Sequence, residues 1–485
     1  MAVKITNTRY YPKYHIAAPG GWINDPNGFC YFKGKYHLFY QYHPHSTQWG
    51  PMHWGHVVSD DLINWNHLPI ALAPVDACDR DGCFSGSALE KDGKLYLFYT
   101  GHLNTPENPE GFRQVQNFAV GEDGIHFSKS LNNPVITVPE DEEIHSADFR
   151  DPKVWQNEET GKYYMVVGSR VPDNVAGQVL LFESEDLIKW EFKSIMARVV
   201  GNEGFMWECP NFVNVEGHDI LMMSPQGIKR ELNKYMNVYQ SGYFMGNFDY
   251  ETGVFTTHGE FELLDYGFDF YAPQITELAD GRVIMIAWAD MWQSPMPEQE
   301  DGWAGMMTVP REIHIKGGKI VTTPVKELEK LRTSEISFED KSFYKPMKFD
   351  GVSGDSGELV LDIDLTETKE FEIYLRASKD KTQKTVLSYN KALELFKVNR
   401  DESGAGVDGE RECTIAPADK MKLQIFLDRS LVEIFINDGE KVMTSRIYPL
   451  ADSTDIIFVP KEGAFKIDSL KFYELGVGIP QPVID

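Results

Sequence analysis

The sequence predicts an all-β chain, a five-bladed β-propeller followed by a C-terminal β-sandwich. Three observations carry this expectation. Short apolar strands led by glycine recur five times in the first 290 residues. Helical periodicity is almost absent over the same stretch, which excludes a βα barrel. From about residue 336 the pattern changes to alternating strands separated by Gly/Asp turns.

The recurring strands are Gly34-Lys-Tyr-His-Leu-Phe-Tyr, Gly93-Lys-Leu-Tyr-Leu-Phe-Tyr, Gly161-Lys-Tyr-Tyr-Met-Val-Val, Gly217-His-Asp-Ile-Leu-Met-Met and Gly281-Arg-Val-Ile-Met-Ile-Ala. They are spaced by 59, 68, 56 and 64 residues. Each glycine lies between two apolar stretches, so each unit contains a hairpin. A unit of this length holds a four-stranded sheet with long loops, and five such sheets set radially leave only short edges. A second marker supports the repeat. Ser59-Asp-Asp-Leu-Ile-Asn-Trp65 and Ser184-Glu-Asp-Leu-Ile-Lys-Trp190 are near copies, and Gly121-Glu-Asp-Gly-Ile-His-Phe127 is a looser one. A polar turn leading into an aromatic marks the outer edge of a unit.

The propeller is expected over residues 1–321. Residues 322–335 carry Pro324, then Leu328 and Leu331 at helical spacing among charges, and read as a helical linker. Residues 336–485 read as the sandwich, with strands such as the one running from Lys422 to Asn437. No catalytic cluster stands out there, and Asp428-Arg429 reads as an ion pair in a turn.

Composition narrows the partners. Lys and Arg total 47 against 74 Asp and Glu, a net charge of −27, which argues against a nucleic-acid partner. No apolar run of about 18 residues predicts a membrane span. The N-terminus lacks the apolar core of a signal peptide. The five cysteines are odd in number and form no C-x-x-C pair. Together these features predict free thiols in a cytoplasmic protein. Aromatics make up 13% of the chain, which serves core packing and suits stacking on sugar rings.

The repeat also acts as a ruler. Asp25, Ser85, Asp151, Glu208 and Tyr271 precede the five glycines by 9, 8, 10, 9 and 10 residues. They are expected at equivalent positions, in a ring at the mouth of the propeller channel. Three carboxylates therefore converge. Like charges brought together cost stability, so convergence points to function and to a carbohydrate-active site. Two carboxylates flanking a glycosidic bond are the minimum for its hydrolysis. Glu208, between Trp207 and Cys209-Pro210, is the expected general acid/base, in a partly apolar setting. Asp25, with Asn24 alongside, is the expected nucleophile. Asp151 is expected to stay ionised beside Arg150 and to grip sugar hydroxyls.

These segments resemble glycoside hydrolase family thirty-two, the β-fructofuranosidases. Residues 22–28 (Trp-Ile-Asn-Asp-Pro-Asn-Gly), 149–153 (Phe-Arg-Asp-Pro-Lys) and 208–210 (Glu-Cys-Pro) carry the resemblance. So do Phe84-Ser-Gly-Ser-Ala88, Asp269-Phe-Tyr-Ala-Pro-Gln274 and, near the C-terminus, Leu427-Asp-Arg-Ser430. The resemblance implies retaining double displacement on a terminal β-fructofuranosyl unit. Asp25 would be the nucleophile, Glu208 the acid/base and Asp151 a ligand of fructose hydroxyls. It further implies that Asn24, Gln41, Trp49, Phe84, Ser85, Arg150, Tyr271 and Trp288 line the fructose subsite. The implied substrates are sucrose, sucrose 6-phosphate or short fructo-oligosaccharides, and no metal or cofactor is called for. Fructan hydrolysis, fructosyl transfer, an inverting furanosidase and a non-catalytic sugar-binding propeller are the alternatives.

Other signals read more plainly. His43-x-His45 and His53-x-x-His56 are expected to serve loops, packing or sugar contact rather than a metal. Arg113 could reach a leaving-group phosphate or glucose, or be a solvated loop residue. Residues 140–143, Glu-Asp-Glu-Glu, form an acidic loop.

Overall fold

The computed structural model describes residues 2–484. Each of the five repeat glycines turns a hairpin with left-handed backbone, φ running from +72° at Gly161 to +85° at Gly281. A methyl group added at any of the five would meet nothing within 4 Å. Glycine is there for backbone freedom, not for space.

These hairpins open five four-stranded units. In blade one Gly21–Phe32, Lys35–His43, His53–Ser59 and Trp65–Leu72 pair in succession. Blades two, three and four begin with Gly82–Lys91, Phe149–Gln156 and Met206–Val215, each followed by three antiparallel strands. Blade five pairs Tyr271–Glu277, Val283–Trp288, Arg311–Lys316 and Lys319–Pro324. The first strand of each blade packs on that of the next, and the first strand of blade five packs on that of blade one. Trp303–Ala304 runs parallel to Gly21 and Trp22, tying the fifth blade's long insertion to the first blade.

Burial follows position in the blade. The second strands Tyr163–Arg170 and Val283–Trp288 are buried along their whole length. The outer strand Glu191–Arg198 is half-exposed and charged, which protects the open edge from pairing with another chain. The repeated turns fold alike. Asp61, Asp123 and Asp186 each accept backbone N–H bonds from residues two and three positions on. The residue after each is left-handed: Leu62 at φ 70°, Gly124 at 74° and Leu187 at 71°. In the two close copies the tryptophan then caps the turn, Trp65 and Trp190 donating from Nε1 to the carbonyls of Leu62 and Leu187.

The segment predicted as a helical linker is otherwise built. Thr322, Thr323 and Pro324 still belong to the last strand of blade five. A single 3-10 stretch, Lys326–Leu331, buries Leu328 and Leu331, a three-residue spacing that a 3-10 turn superimposes on one face. Arg332 then begins the first strand of the second domain.

That domain stacks a six-stranded sheet on a five-stranded one, with Leu359, Leu361, Phe371, Ile373, Ile425 and Phe465 in the core between them. Its face against the propeller joins a shared apolar cluster, in which Phe426, Leu431 and Phe435 are buried with Tyr14, Ile16 and Val309, to a set of polar contacts. Asp428 accepts from the backbone N–H groups of Lys13, Tyr14 and His15. Arg429 pairs with Asp355 and donates to the carbonyls of Thr8 and Tyr11. Asp428 and Arg429 therefore do not form the local ion pair predicted from sequence; each reaches across to the N-terminal segment. No helix among the described residues is long and apolar enough to cross a membrane.

Candidate active site

The first strand of every blade carries a β-bulge at the same depth. Two residues face one on the neighbouring strand: Asn24 and Asp25 opposite Gln41, Phe84 and Ser85 opposite Thr100, Asp151 and Pro152 opposite Val167. Cys209 and Pro210 lie opposite Met223, and Ala272 and Pro273 opposite Ala287. A bulge bends its strand and re-aims side chains. Three of the bulges hold a non-glycine residue in left-handed backbone, Asp151 at φ 68°, Cys209 at 48° and Ala272 at 51°.

The bulges turn Asp25, Ser85, Asp151 and Glu208 into one pocket of about 440 Å³, a size suited to a small sugar. Its floor is a hydrogen-bonded chain. Trp22 Nε1 donates to Asn24 Oδ1 at 2.8 Å, and Asn24 Nδ2 donates to Asp25 Oδ1 at 3.0 Å. Ser85 Oγ donates to the other oxygen, Asp25 Oδ2, at 2.7 Å. Cys209 Sγ lies 3.6 Å from Asp25 Oδ2 and 3.5 Å from Asp151 Oδ2, while the Cys209 backbone N–H donates to Asp151 Oδ2 at 2.9 Å.

Glu208 is held on both oxygens. Arg150 donates to Oε1 from Nε and Nη2 at 3.1 and 2.9 Å, and the Tyr271 hydroxyl donates to Oε2 at 2.5 Å. The guanidinium also donates through Nη1 to Asp148 Oδ1. Asp148 is shared with Arg170, whose Nε donates to Oδ2 at 2.6 Å.

Electrostatics separates the acids. Burial raises Asp25 above the ordinary carboxylate range, the Ser85 and Asn24 hydrogen bonds oppose this, and the charge of Glu208 adds to it. Burial also pushes Asp151 up, to about 7; Arg150 pulls it down, and Glu208 and Asp25 push it further up.

Models of two protein domains match the chain: the "Glycosyl hydrolases family 32 N-terminal domain" over residues 15–324 and the "Glycosyl hydrolases family 32 C terminal" over residues 327–474. The chain belongs to glycosyl hydrolase family 32. It is an enzyme of the glycoside hydrolase class. A sucrose-6-phosphate hydrolase of Escherichia coli is 40% identical, with 96% of this chain and 95% of that protein covered. A raffinose invertase of Escherichia coli is 41% identical, with 94% and 93% covered. Among solved structures, a β-fructofuranosidase of Bombyx mori superimposes with a TM-score of 0.86 at 37% identity, covering 98% of this chain and 96% of that one. A sucrose-6-phosphate hydrolase of Lactobacillus gasseri gives 0.87 at 29% identity, covering 97% and 94%.

Of the residues predicted from sequence, Asn24, Asp25, Gln41, Trp49, Phe84, Ser85, Arg150, Asp151 and Glu208 line the family 32 pocket. Tyr271 is fully buried behind it and reaches Glu208. Trp288 does not line it. It is the cross-strand partner of Tyr271, has no exposed surface, and packs under Trp22 and Trp292. Trp292, four residues on, lines the pocket instead.

Three expectations about environment also change. The five ring residues are not strictly equivalent: Asp25 and Ser85 are second in their bulges, Asp151 is first in its own, and Glu208 and Tyr271 are the paired residues just ahead. The spacing to the hairpin glycine absorbs this stagger. Arg150 binds Glu208 rather than Asp151, because the bulge turns adjacent side chains apart, and Asp151 is raised rather than held in the ordinary range. The Glu208 carboxylate lies between a guanidinium and a phenol, not in apolar surroundings.

An aromatic wall and a polar flank complete the pocket beyond the residues expected from sequence. Phe84 stacks on His102 at 4.3 Å with a 3° interplanar angle, and His102 stacks on Phe112 at 5.4 Å. Asp148 and Gln114, also in the pocket lining, bind Arg150. Asp148 sits two residues before Arg150 and was within reach of a motif reading; His102 and Phe112 lie outside the repeat markers and gave no signal. Arg113 lines a separate groove with Asp76 and Lys129. His56 is buried, stacked on Phe39 and 3.0 Å from His37, a packing role. In the acidic loop, Glu143 pairs with Arg198.

Proposed function

We propose that the chain is a retaining β-fructofuranosidase that releases fructose from sucrose and sucrose 6-phosphate. The observation that carries the reading is the convergence of two separately held carboxylates, Asp25 and Glu208, in one pocket. Asp25 is gripped by neutral donors on both oxygens, whereas Glu208 lies against Arg150 and Tyr271. Neutral donors favour an ionised, oriented nucleophile. In the first step Asp25 attacks C2 of the fructosyl unit as the C2–O bond breaks, and Glu208 delivers its proton to the departing oxygen. In the second, Glu208 takes a proton from water, the resulting hydroxide attacks C2, and the bond to Asp25 breaks. Asp151, fixed by the Cys209 and Thr100 hydrogen bonds, binds fructose hydroxyls and supports the oxocarbenium-like transition state.

The substrate reading is supported by the relatives named sucrose-6-phosphate hydrolase and raffinose invertase. We assign the catalytic role to the propeller, whose last strand ends at Pro324, and a supporting role to the sandwich, which begins at Arg332, with the 3-10 stretch Lys326–Leu331 as connector. Five unpaired thiols fit a reducing compartment, and we place the enzyme in the cytoplasm. The test is kcat/KM on sucrose, sucrose 6-phosphate and inulin, with Asp25→Ala and Glu208→Gln as controls. A preference for inulin would overturn the substrate assignment. Intact hydrolysis in either variant would overturn the catalytic one.

A further inference from the structure

Arg446 lies in the sandwich domain, where its Nε donates to the Ser430 carbonyl, yet both of its terminal nitrogens reach the propeller. Nη1 donates to Asp290 Oδ2 at 2.8 Å and Nη2 to Glu298 Oε1 at 2.9 Å. The side chains of both carboxylates are wholly buried, and that of Arg446 is 1% exposed. Its backbone N–H donates to Asp269 Oδ2 at 2.7 Å, fixing the strand from which it reaches. Asp290 and Glu298 bracket the segment that leaves the second strand of blade five and enters the 3-10 turn Pro297–Asp301. Between them lie Trp292 and Gln293, both in the pocket wall. One residue past Glu298, Gln299 Nε2 donates to the carbonyl of Thr47 at 2.8 Å, in the loop that presents Trp49 to the same pocket.

Buried ion pairs of this kind add little net stability compared with apolar residues of the same shape, but they fix one geometry. Here the geometry fixed is that of the pocket mouth. Trp49, 48% exposed, and the exposed Gln293 form the outer rim, whereas Asp151 is 6% exposed. Under the fructosidase reading proposed above, on which this inference rests, a terminal fructosyl unit enters a blind pocket first. The leaving group then lies at the rim.

We infer that Arg446 is a positioning residue for the leaving-group end of the site: through Asp290 and Glu298 it sets Trp292 and Gln293, and through Gln299 it sets Trp49. The sandwich domain thereby shapes substrate recognition without touching substrate.

The experiment compares sucrose with methyl β-D-fructofuranoside, which keeps the fructosyl unit and reduces the leaving group to methanol. The variants are Arg446→Met and Arg446→Lys, with Glu298→Gln and Gln299→Ala as milder changes in case the arginine variants fail to fold. For Arg446→Met, Glu298→Gln and Gln299→Ala, KM for sucrose is expected to rise about fivefold or more with kcat within about twofold. Both constants for the methyl fructoside should stay within about twofold. Arg446→Lys should recover part of the sucrose KM. Equal losses on both substrates, or no change in Glu298→Gln and Gln299→Ala, would overturn the inference. A wild-type enzyme that cleaves neither fructoside would instead overturn the fructosidase reading itself.

Discussion

Arg150 places two donors on one oxygen of Glu208, at 3.1 and 2.9 Å, and turns away from Asp151, its neighbour in sequence. The same guanidinium reaches Asp148 and Gln114. A planar fork is needed to reach three partners in fixed directions; an ammonium on a flexible stem cannot reproduce it. Arg150→Lys is therefore expected to lower kcat/KM on sucrose by about 100-fold. Steady-state kinetics checks this, and a loss of less than about fivefold would show that charge alone suffices.

Tyr271 meets the other oxygen of Glu208 from behind the pocket. Tyr271→Phe removes one hydroxyl and little volume. A hydrogen bond to a charged group contributes about 1.5–3 kcal/mol, so kcat should fall roughly 10- to 100-fold. Because Tyr271 does not line the pocket, KM should barely move. A KM effect with unchanged kcat would mean that the phenol binds sugar rather than positions Glu208.

Ser85 donates to Asp25 Oδ2 and favours its ionised form, against the burial that raises it. Ser85→Ala removes that support, so the pKa of Asp25 should rise further and the acidic limb of kcat/KM should move to higher pH. The loss of activity relative to wild type should be greater at pH 5 than at pH 7. A pH profile lowered uniformly, with no displaced limb, would contradict this account.

How much of this was legible in sequence depends on what fixed each feature. The five hairpins were legible because a left-handed turn demands glycine, and the Asp61, Asp123 and Asp186 turns because a side chain capping its own backbone leaves a local pattern. The three acids were legible because they sit in short rigid segments at near-constant distance from those glycines. The bulge stagger was not, since loop length compensates for it. Nor was the burial of Trp288, which packs against Trp22 and Trp292, both outside its own strand. The bond between Arg150 and Glu208 joins two blades, and no local pattern encodes it.

Asp151 has a folded-state pKa of about 7 against an ordinary value of 3.8. The unfolded chain loses this proton first as pH rises, so the native state is progressively destabilised from about pH 4 and carries the full penalty above about 7. Asp151→Asn cannot ionise and escapes it. The variant should be inactive yet more stable than wild type, with a Tm gain of a few degrees at pH 8 that shrinks toward pH 4.5. Thermal unfolding at both pH values tests this. A gain independent of pH would mean that packing, not charge, was relieved.

His15 carries the opposite sign. Its Nδ1 is 2.8 Å from Asp428 Oδ2 and its Nε2 2.9 Å from Glu433 Oε1, with all three side chains wholly buried. Burial lowers its pKa, but the hydrogen bonds and charges of Asp428 and Glu433 outweigh this and raise it to about 9 from 6.5. A folded-state value above the unfolded one stabilises fully below about pH 6.5 and is lost as pH rises through 9, a change on the order of 3 kcal/mol. Asp428 belongs to the sandwich and His15 to the N-terminal segment, so this stability belongs to the junction between the domains. His15→Gln should be several degrees less stable than wild type at pH 6, with the difference narrowing by pH 9.5. Urea midpoints across that range would test it. A constant gap would show that His15 acts through packing and neutral hydrogen bonds rather than as a cation between two carboxylates.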